Sequence, residues 1–208
     1  MSNPIYQLWV IKNNSGTASR WAGMSESQQK ELDEANSDSL KRVGAEILLW
    51  CKCSWANEEY DNWGVVSYPD IAARIEHTKN MEKMKWFQYI EAFTLLGTIY
   101  QPPKIINLPN SIYNLWIVQN SPASTLLWQK LTEEEREKKW QVVQNAMKNC
   151  GGDWLIICNS SWCSEQHTAW GVDVLPNLEA LQSFKAELDK ADWNAYVPGL
   201  NWLGIAGS

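Results

Sequence analysis

The chain has 208 residues, 45% of them apolar, and a formal net charge of −6, a composition that belongs to folded globular chains and excludes disordered and fibrous ones. Lys and Arg number 11 against 13 Asp and Glu up to Asn107, and 7 against 11 after it, so neither half carries the basic stripe of a nucleic-acid binder or of a protein drawn to acidic membranes. No run approaches the roughly 18 apolar residues of a membrane span, and the first residues lack a charged-then-apolar leader, so a cytoplasmic protein is expected.

Taken in chain order, the elements occur twice. A shift of 107 residues lays Ile5-Tyr6 on Ile112-Tyr113 and Trp63-Gly64-Val65 on Trp170-Gly171-Val172; Trp9, Trp21, Trp55 and Trp86 fall on Trp116, Trp128, Trp162 and Trp193. A period of that length is the signature of a duplicated unit. The first element, at 6–11 and 113–118, is rich in aromatic and β-branched residues on both faces and reads as a strand covered on both sides. The connection after it carries Trp21 or Trp128 and leads to a helix. Ser25 with Gln28, and Thr132 with Glu135, form capping boxes that mark its start, and Trp140, Val143, Met147 and Cys150 recur along it at helical spacing. The first-half helix has Asp33 and Asn36 where the second has Trp140 and Val143, so its packing is expected to be looser. A strand at 47–55 (154–162), a polar turn, and a strand at 63–68 (170–175) make a hairpin. Pro69-Asp70 and Pro176-Asn177 then open a second helix, with apolar positions at Leu178, Leu181, Phe184 and Leu188, and a last strand is expected to begin at Trp86 and Trp193.

The order βαββαβ predicts an α+β chain of two ferredoxin-like repeats, residues 1–99 and 112–208, joined by a proline-containing linker at 100–111. Each four-stranded sheet has a second face rich in Trp, Tyr and Ile, and the economical way to cover it is the other half, sheet to sheet. A monomer folded as a pseudo-dimer, or a homodimer of such chains, is expected.

With Trp128, Leu131, Glu135-Arg136, Trp170-Gly171, Pro176, Trp193 and Tyr196 in place, each half resembles the dimeric α/β-barrel superfamily, most closely its darcynin-like branch. That resemblance spans nearly the whole of each half. It implies an intramolecular α/β barrel with ligand held in a cleft between sheet and helices. Members of the superfamily include cofactor-independent monooxygenases, polyketide cyclases, lactone isomerases, and fused-repeat haem enzymes such as chlorite dismutase-like proteins.

The candidate site residues follow from side-chain chemistry. Trp21 and Trp128, in the connection before the first helix, are candidates for an aromatic pocket wall, and Tyr89 and Tyr196, at the start of the last strand, could donate a phenol to a ligand. His167, with Glu165 two residues away in the hairpin turn, is the candidate acid–base pair, since an imidazole titrating near neutrality beside a carboxylate suits proton transfer. Trp9, Trp55, Trp63 and Trp86 with their repeats are assigned to the core, and His77 to the solvent face of its helix. The five cysteines, Cys51, Cys53, Cys150, Cys158 and Cys163, contain no C-x-x-C pair and read as mostly buried thiols; no metal site and no cofactor is expected. The function these readings give is binding of a small apolar or aromatic molecule, with cofactor-independent oxygenation, cyclisation or isomerisation as its possible chemistry. The alternatives are a non-enzymatic association module and a haem-binding fused-repeat barrel protein.

Overall fold

The computed structural model describes residues 3–13, 15–104, 108 and 110–207. The chain divides into two compact units, with the boundary between Thr98 and Ile99. The joint expected over 100–111 lies partly outside the described residues, at 105–107 and 109. Its described part is pinned within the second unit, where the amides of Tyr100 and Lys104 donate to the carbonyls of Ile157 and Leu155 at 3.0 and 2.8 Å.

The first unit runs β1 (Ile5–Lys12), α1 (Ser15–Ala22), α2 (Glu26–Arg42), β2 (Glu46–Lys52), β3 (Tyr60–Tyr68), α3 (Ile71–Lys83) and β4 (Ala92–Ile99). The second repeats it as β5 (Ile112–Gln119), α4 (Pro122–Lys130), α5 (Glu133–Asn149), β6 (Asp153–Asn159), β7 (His167–Leu175), α6 (Leu178–Lys190), α7 (Trp193–Tyr196) and β8 (Gly199–Ala206). In each, the antiparallel order places the first strand between the third and the fourth, with the second strand beyond the third. This is the ferredoxin-like arrangement that the element order predicts.

Local chemistry sets the helix ends. Ser25 and Thr132 accept from the backbone N–H three residues on, while Gln28 and Glu135 return the bond to the cap amide. Asp70 and Asn177 cap α3 and α6 in the same way, accepting from Ala73 and Ala180. At the far end of α5, Gly151 takes φ +70°, and Gly152 N–H closes back on the Met147 carbonyl at 3.0 Å. That left-handed step ends the helix and turns the chain into β6.

Three of the expected element assignments need correction. The connections before α2 and α5 are not loops, because Trp21 and Trp128 lie on the short helices α1 and α4. The last strands begin at Ala92 and Gly199; Trp86–Gln88 is a 3-10 turn and Trp193–Tyr196 the short α7, each entered through a residue with positive φ, Lys85 or Asp192. Strand β2 ends at Lys52 and β6 at Asn159, which leaves Trp55 and Trp162 46% and 48% exposed in the following turn rather than in the core. Their indole N–H groups donate to the carbonyls of Lys52 and Asn159, so each caps a hairpin.

The helix-on-sheet cores of the two halves differ. In the second, Val143, Ala146 and Met147 of α5 and Leu181, Phe184 and Leu188 of α6 pack with Leu175, with Trp140, Trp154 and Trp193 against them. The first has Leu40, Val66 and Tyr68 with Trp9, Val43, Ala45 and Ala73 around them, and α2 buries only Ser39 and Leu40. Polar Asp33 and Asn36 account for the looser packing. His77, placed on the solvent face by sequence, is buried at 4% exposure. Its Nδ1 meets the Tyr68 hydroxyl at 2.8 Å and its Nε2 meets Asn36 Oδ1 at 3.0 Å. A neutral ring that accepts from the tyrosine and donates to the asparagine satisfies all three groups.

Cys51, Cys53 and Cys158 are buried, Cys150 partly so, and Cys163 exposed. Burial pushes the Cys53 thiol up to about 11 and raises Cys51 and Cys158 further. Since the thiolate is the reactive form, titration of the native protein with a disulfide reagent is expected to modify Cys163 first and Cys150 more slowly. Modification of Cys51, Cys53 and Cys158 should need denaturant; their rapid labelling in native protein would contradict the packing.

Candidate functional site

A cavity of about 610 Å³ lies within the second unit, between its sheet and its helices. Strand register builds the floor. Asn114, Asp173 and Trp154 form one cross-strand row over β5, β7 and β6; Asn201, Trp116, Gly171 and Ile157 form the next. Side chains two apart on a strand share a face, and the register shift between Trp154 and Ile156 brings Ile157 into the same phase on β6, so these two rows point to the same side, and their residues other than Gly171 line the cavity. Its roof comes from Arg136, Trp140 and Val143 of α5 and from Phe184, Lys185 and Leu188 of α6. Trp128 of α4 and Trp193 of α7 complete the aromatic lining.

The aromatic walls form a connected set. Trp140 stacks on Trp154 with centroids 5.9 Å apart and an angle of 26° between planes, and contacts Trp193 at 5.9 Å. Trp128 meets Trp193 edge-on at 6.1 Å. Arg136 holds the Trp128 end: its Nε donates to the Trp128 carbonyl at 3.1 Å, and its guanidinium sits 5.9 Å from that ring's centroid.

The floor carries one buried acid. Asp173 is 2% exposed; its Oδ1 accepts from Trp116 Nε1 at 2.7 Å and its Oδ2 from Asn114 Nδ2 at 3.1 Å. Burial raises its carboxyl to about 6, against the pull of those two hydrogen bonds and of Lys185. Burial likewise lowers the Lys185 ammonium, which is held up in part by Asp173 and Asp189 and donates to Asn201 Oδ1 at 2.9 Å. Gly171 makes this geometry possible. A Cβ there would collide with the Trp116 ring and the Ile156 carbonyl, so glycine lets the indole lie across β7 and reach Asp173.

Of the residues singled out from sequence, Trp128 lines this cavity. Tyr196 packs on the outer side of Trp128 at 6.5 Å and carries Lys139 Nζ 4.1 Å from its ring centroid. Trp21 meets Trp86 at 6.5 Å in the first unit, the counterpart of the Trp128–Trp193 contact, and Tyr89 is half-buried just after the 3-10 turn there. His167 and Glu165 lie at the β6–β7 hairpin: the His167 amide donates to Ser164 Oγ at 3.1 Å, and the Glu165 carbonyl accepts from Asn120 Nδ2 at 3.1 Å. Neither is among the residues lining the cavity. Sequence reasoning passes over Asp173, Asn114 and Lys185. The available signal is a lone acid inside Trp-Gly-Val-Asp-Val-Leu at 170–175, at the position where the first half has Val66.

Among the described residues, no group of three or more His, Cys, Asp or Glu is placed to hold a metal ion, and no helix is long and apolar enough to cross a membrane. No protein-family model matches the chain, and neither does any curated protein. Solved structures do match. A chlorite dismutase from Candidatus Nitrospira defluvii, in complex with imidazole, is 10% identical over 98% of this chain and 91% of its own, with a TM-score of 0.73. A haem-binding protein from Thermus thermophilus is 12% identical over 100% and 94%, with a TM-score of 0.68. At such identities the likeness is one of fold, and the chain has the two-repeat dimeric α/β-barrel fold that its sequence resembles. The narrower darcynin-like resemblance has no counterpart in these two matches.

A haem in such a cavity needs an axial ligand, ordinarily His, Cys, Met or Tyr. The described lining offers no His, Cys or Met, and its one tyrosine, Tyr100, is 64% exposed. His77 lies in the other unit with both ring nitrogens engaged. The residues present do not fit axially ligated haem.

Proposed function

We propose that the second half binds a flat conjugated molecule in the cavity between its sheet and its helices. The observation that carries this reading is the cleft itself, about 610 Å³ lined by Trp116, Trp128, Trp140, Trp154 and Trp193 with a polar floor at Asp173 and Asn114. A volume of that order with a few converging polar groups suits a small-molecule site. Indole faces and edges favour aromatic ligands.

Of the readings raised from sequence, haem binding lies nearer to the solved neighbours than cofactor-independent chemistry does, one of them being a haem-binding protein. The donor set of the cavity supports a ligand held by ring contacts instead of an iron bond, and on that ground the aromatic ligand is preferred.

The test is a titration of the purified chain with haemin and, separately, with indole and naphthol, followed by calorimetry and absorbance. Saturable binding of a small aromatic, weakened at least about tenfold by Trp140→Ala, is the expected result. Haemin bound with a sharp, ligated Soret band would put the haem reading first. No saturable binding of any probe would sink both and favour the association module.

A further inference from the structure

We propose that the molecule this cavity takes is a hydrogen-bond donor, an aromatic ring system bearing an N–H or O–H that it gives to Asp173 and Asn114; the inference rests on the cavity being a ligand site, as proposed above.

The floor has more acceptors than donors. An ionised carboxylate offers about four lone-pair positions and a side-chain amide oxygen about two. Asp173 receives one hydrogen bond on each oxygen, from Trp116 Nε1 and Asn114 Nδ2. Asn114 is fully buried, and its Oδ1 is without a hydrogen-bond partner. An unpaired buried acceptor is costly to leave that way, and both groups line the cavity. The ammonium that could relieve them, Lys185 Nζ, is directed to Asn201 Oδ1 at 2.9 Å.

The charges around the cavity narrow the ligand further. Asp173 on β7 and Glu133 and Glu137 on α5 face Lys185 on α6 and Arg136 on α5. Arg136 is committed to the carbonyls of Trp128 and Gln129 at 3.1 and 3.2 Å. An anionic ligand seated on the floor would therefore be repelled by Asp173, a repulsion that Lys185 offsets only in part. A neutral or cationic donor is accommodated. The carboxylate of this row is particular to the second half: Val66 stands where Asp173 does, while Gln7 stands where Asn114 does and its Oε1 is likewise buried without a hydrogen-bond partner, and the Trp9–Gly64 pair repeats Trp116–Gly171.

The test compares matched ligands that differ only in the donor, indole with N-methylindole and naphthol with its methyl ether, by isothermal titration calorimetry. In the wild-type chain the donor-bearing member of each pair is expected to bind about 10- to 100-fold more tightly, the worth of a hydrogen bond to a charged acceptor. Asp173→Asn should reduce that discrimination, and Asp173→Val, which installs the first-half residue and leaves only Asn114 Oδ1 as acceptor, should reduce it further. The wild-type comparison needs no variant, and near-isosteric Asp173→Asn decides the matter should the valine variant fold poorly. Equal affinities within both pairs in the wild type would overturn the donor inference while leaving the ligand cavity standing. Full discrimination retained in Asp173→Asn and Asp173→Val would also overturn it. Absence of binding by all four compounds would remove the cavity reading and the inference with it.

Discussion

Gly171→Ala is expected to lower stability by about 2–6 kcal/mol, against about 1–3 kcal/mol for the matched Gly64→Ala, in urea unfolding of the whole chain. Both glycines sit under an indole: an added Cβ would strike Trp116 in one half and Trp9 in the other, and a strand carbonyl in each. Overpacking of that kind costs about 1–3 kcal/mol. What differs is behind the ring. Trp116 Nε1 holds Asp173 Oδ1 at 2.7 Å, so a displaced indole also strips a buried carboxylate of one of its two donors, a further loss of about 1–3 kcal/mol. Behind Trp9 the matching residue is Val66, and there is no such second penalty. Equal losses in the two variants would mean that the Trp116–Asp173 bond contributes nothing to the second half.

The second large effect is a pH dependence in the first half. Burial, with a smaller contribution from Arg74, lowers the His77 imidazole to about 4 from its ordinary 6.5. Because the folded state resists protonation, the unfolded state binds the extra proton, and stability is lost as pH falls through the window from 6.5 to 4. The shift is worth about 3 kcal/mol at about pH 4 relative to neutrality. His77→Phe, which installs the residue of the matching position Phe184, removes that contribution. The destabilisation caused by this substitution is therefore expected to be about 3 kcal/mol smaller at about pH 4 than at about pH 7, measured as the difference from wild type by urea unfolding at each pH. Asp173 acts with the opposite sign: its folded carboxyl titrates near 6, so acidification relieves a buried charge. Taking differences at a single position isolates His77 from that opposing effect. A constant difference across the range would show that the ring is protonated in place.

Much of this is legible in the sequence because it is written in patterns that repeat. Capping boxes at Ser25 and Thr132, the apolar stripe of α5 and the strand composition of β1 and β5 are local, and local signals fix both the element order and the duplication. The misplacements have a common cause. Trp86 and Trp193 look like strand residues by composition, yet left-handed Lys85 and Asp192 turn the chain at that point, and one-residue backbone geometry leaves no trace in side-chain periodicity. His77 reads as a solvent-facing residue because α3 has a weak apolar stripe; its burial depends on Tyr68 and on Asn36, nine and 41 residues away. The cavity is the least legible part. Trp128 stands out as an aromatic in a connection, but the acid that gives the floor its chemistry is a single residue in an apolar strand, meaningful only when β5 and β6 are laid beside it.

The Trp9–Gly64 slot has a consequence for how the two copies can drift. A buried carboxylate costs stability, and if Asp173 serves the proposed ligand the stretch around it exchanges thermal robustness for recognition. Its twin around Val66 carries no buried charge at that position. The two copies thus divide the load differently: the second joins the larger helix-on-sheet core to the one buried acid among the described residues, and that core is what can carry the charge.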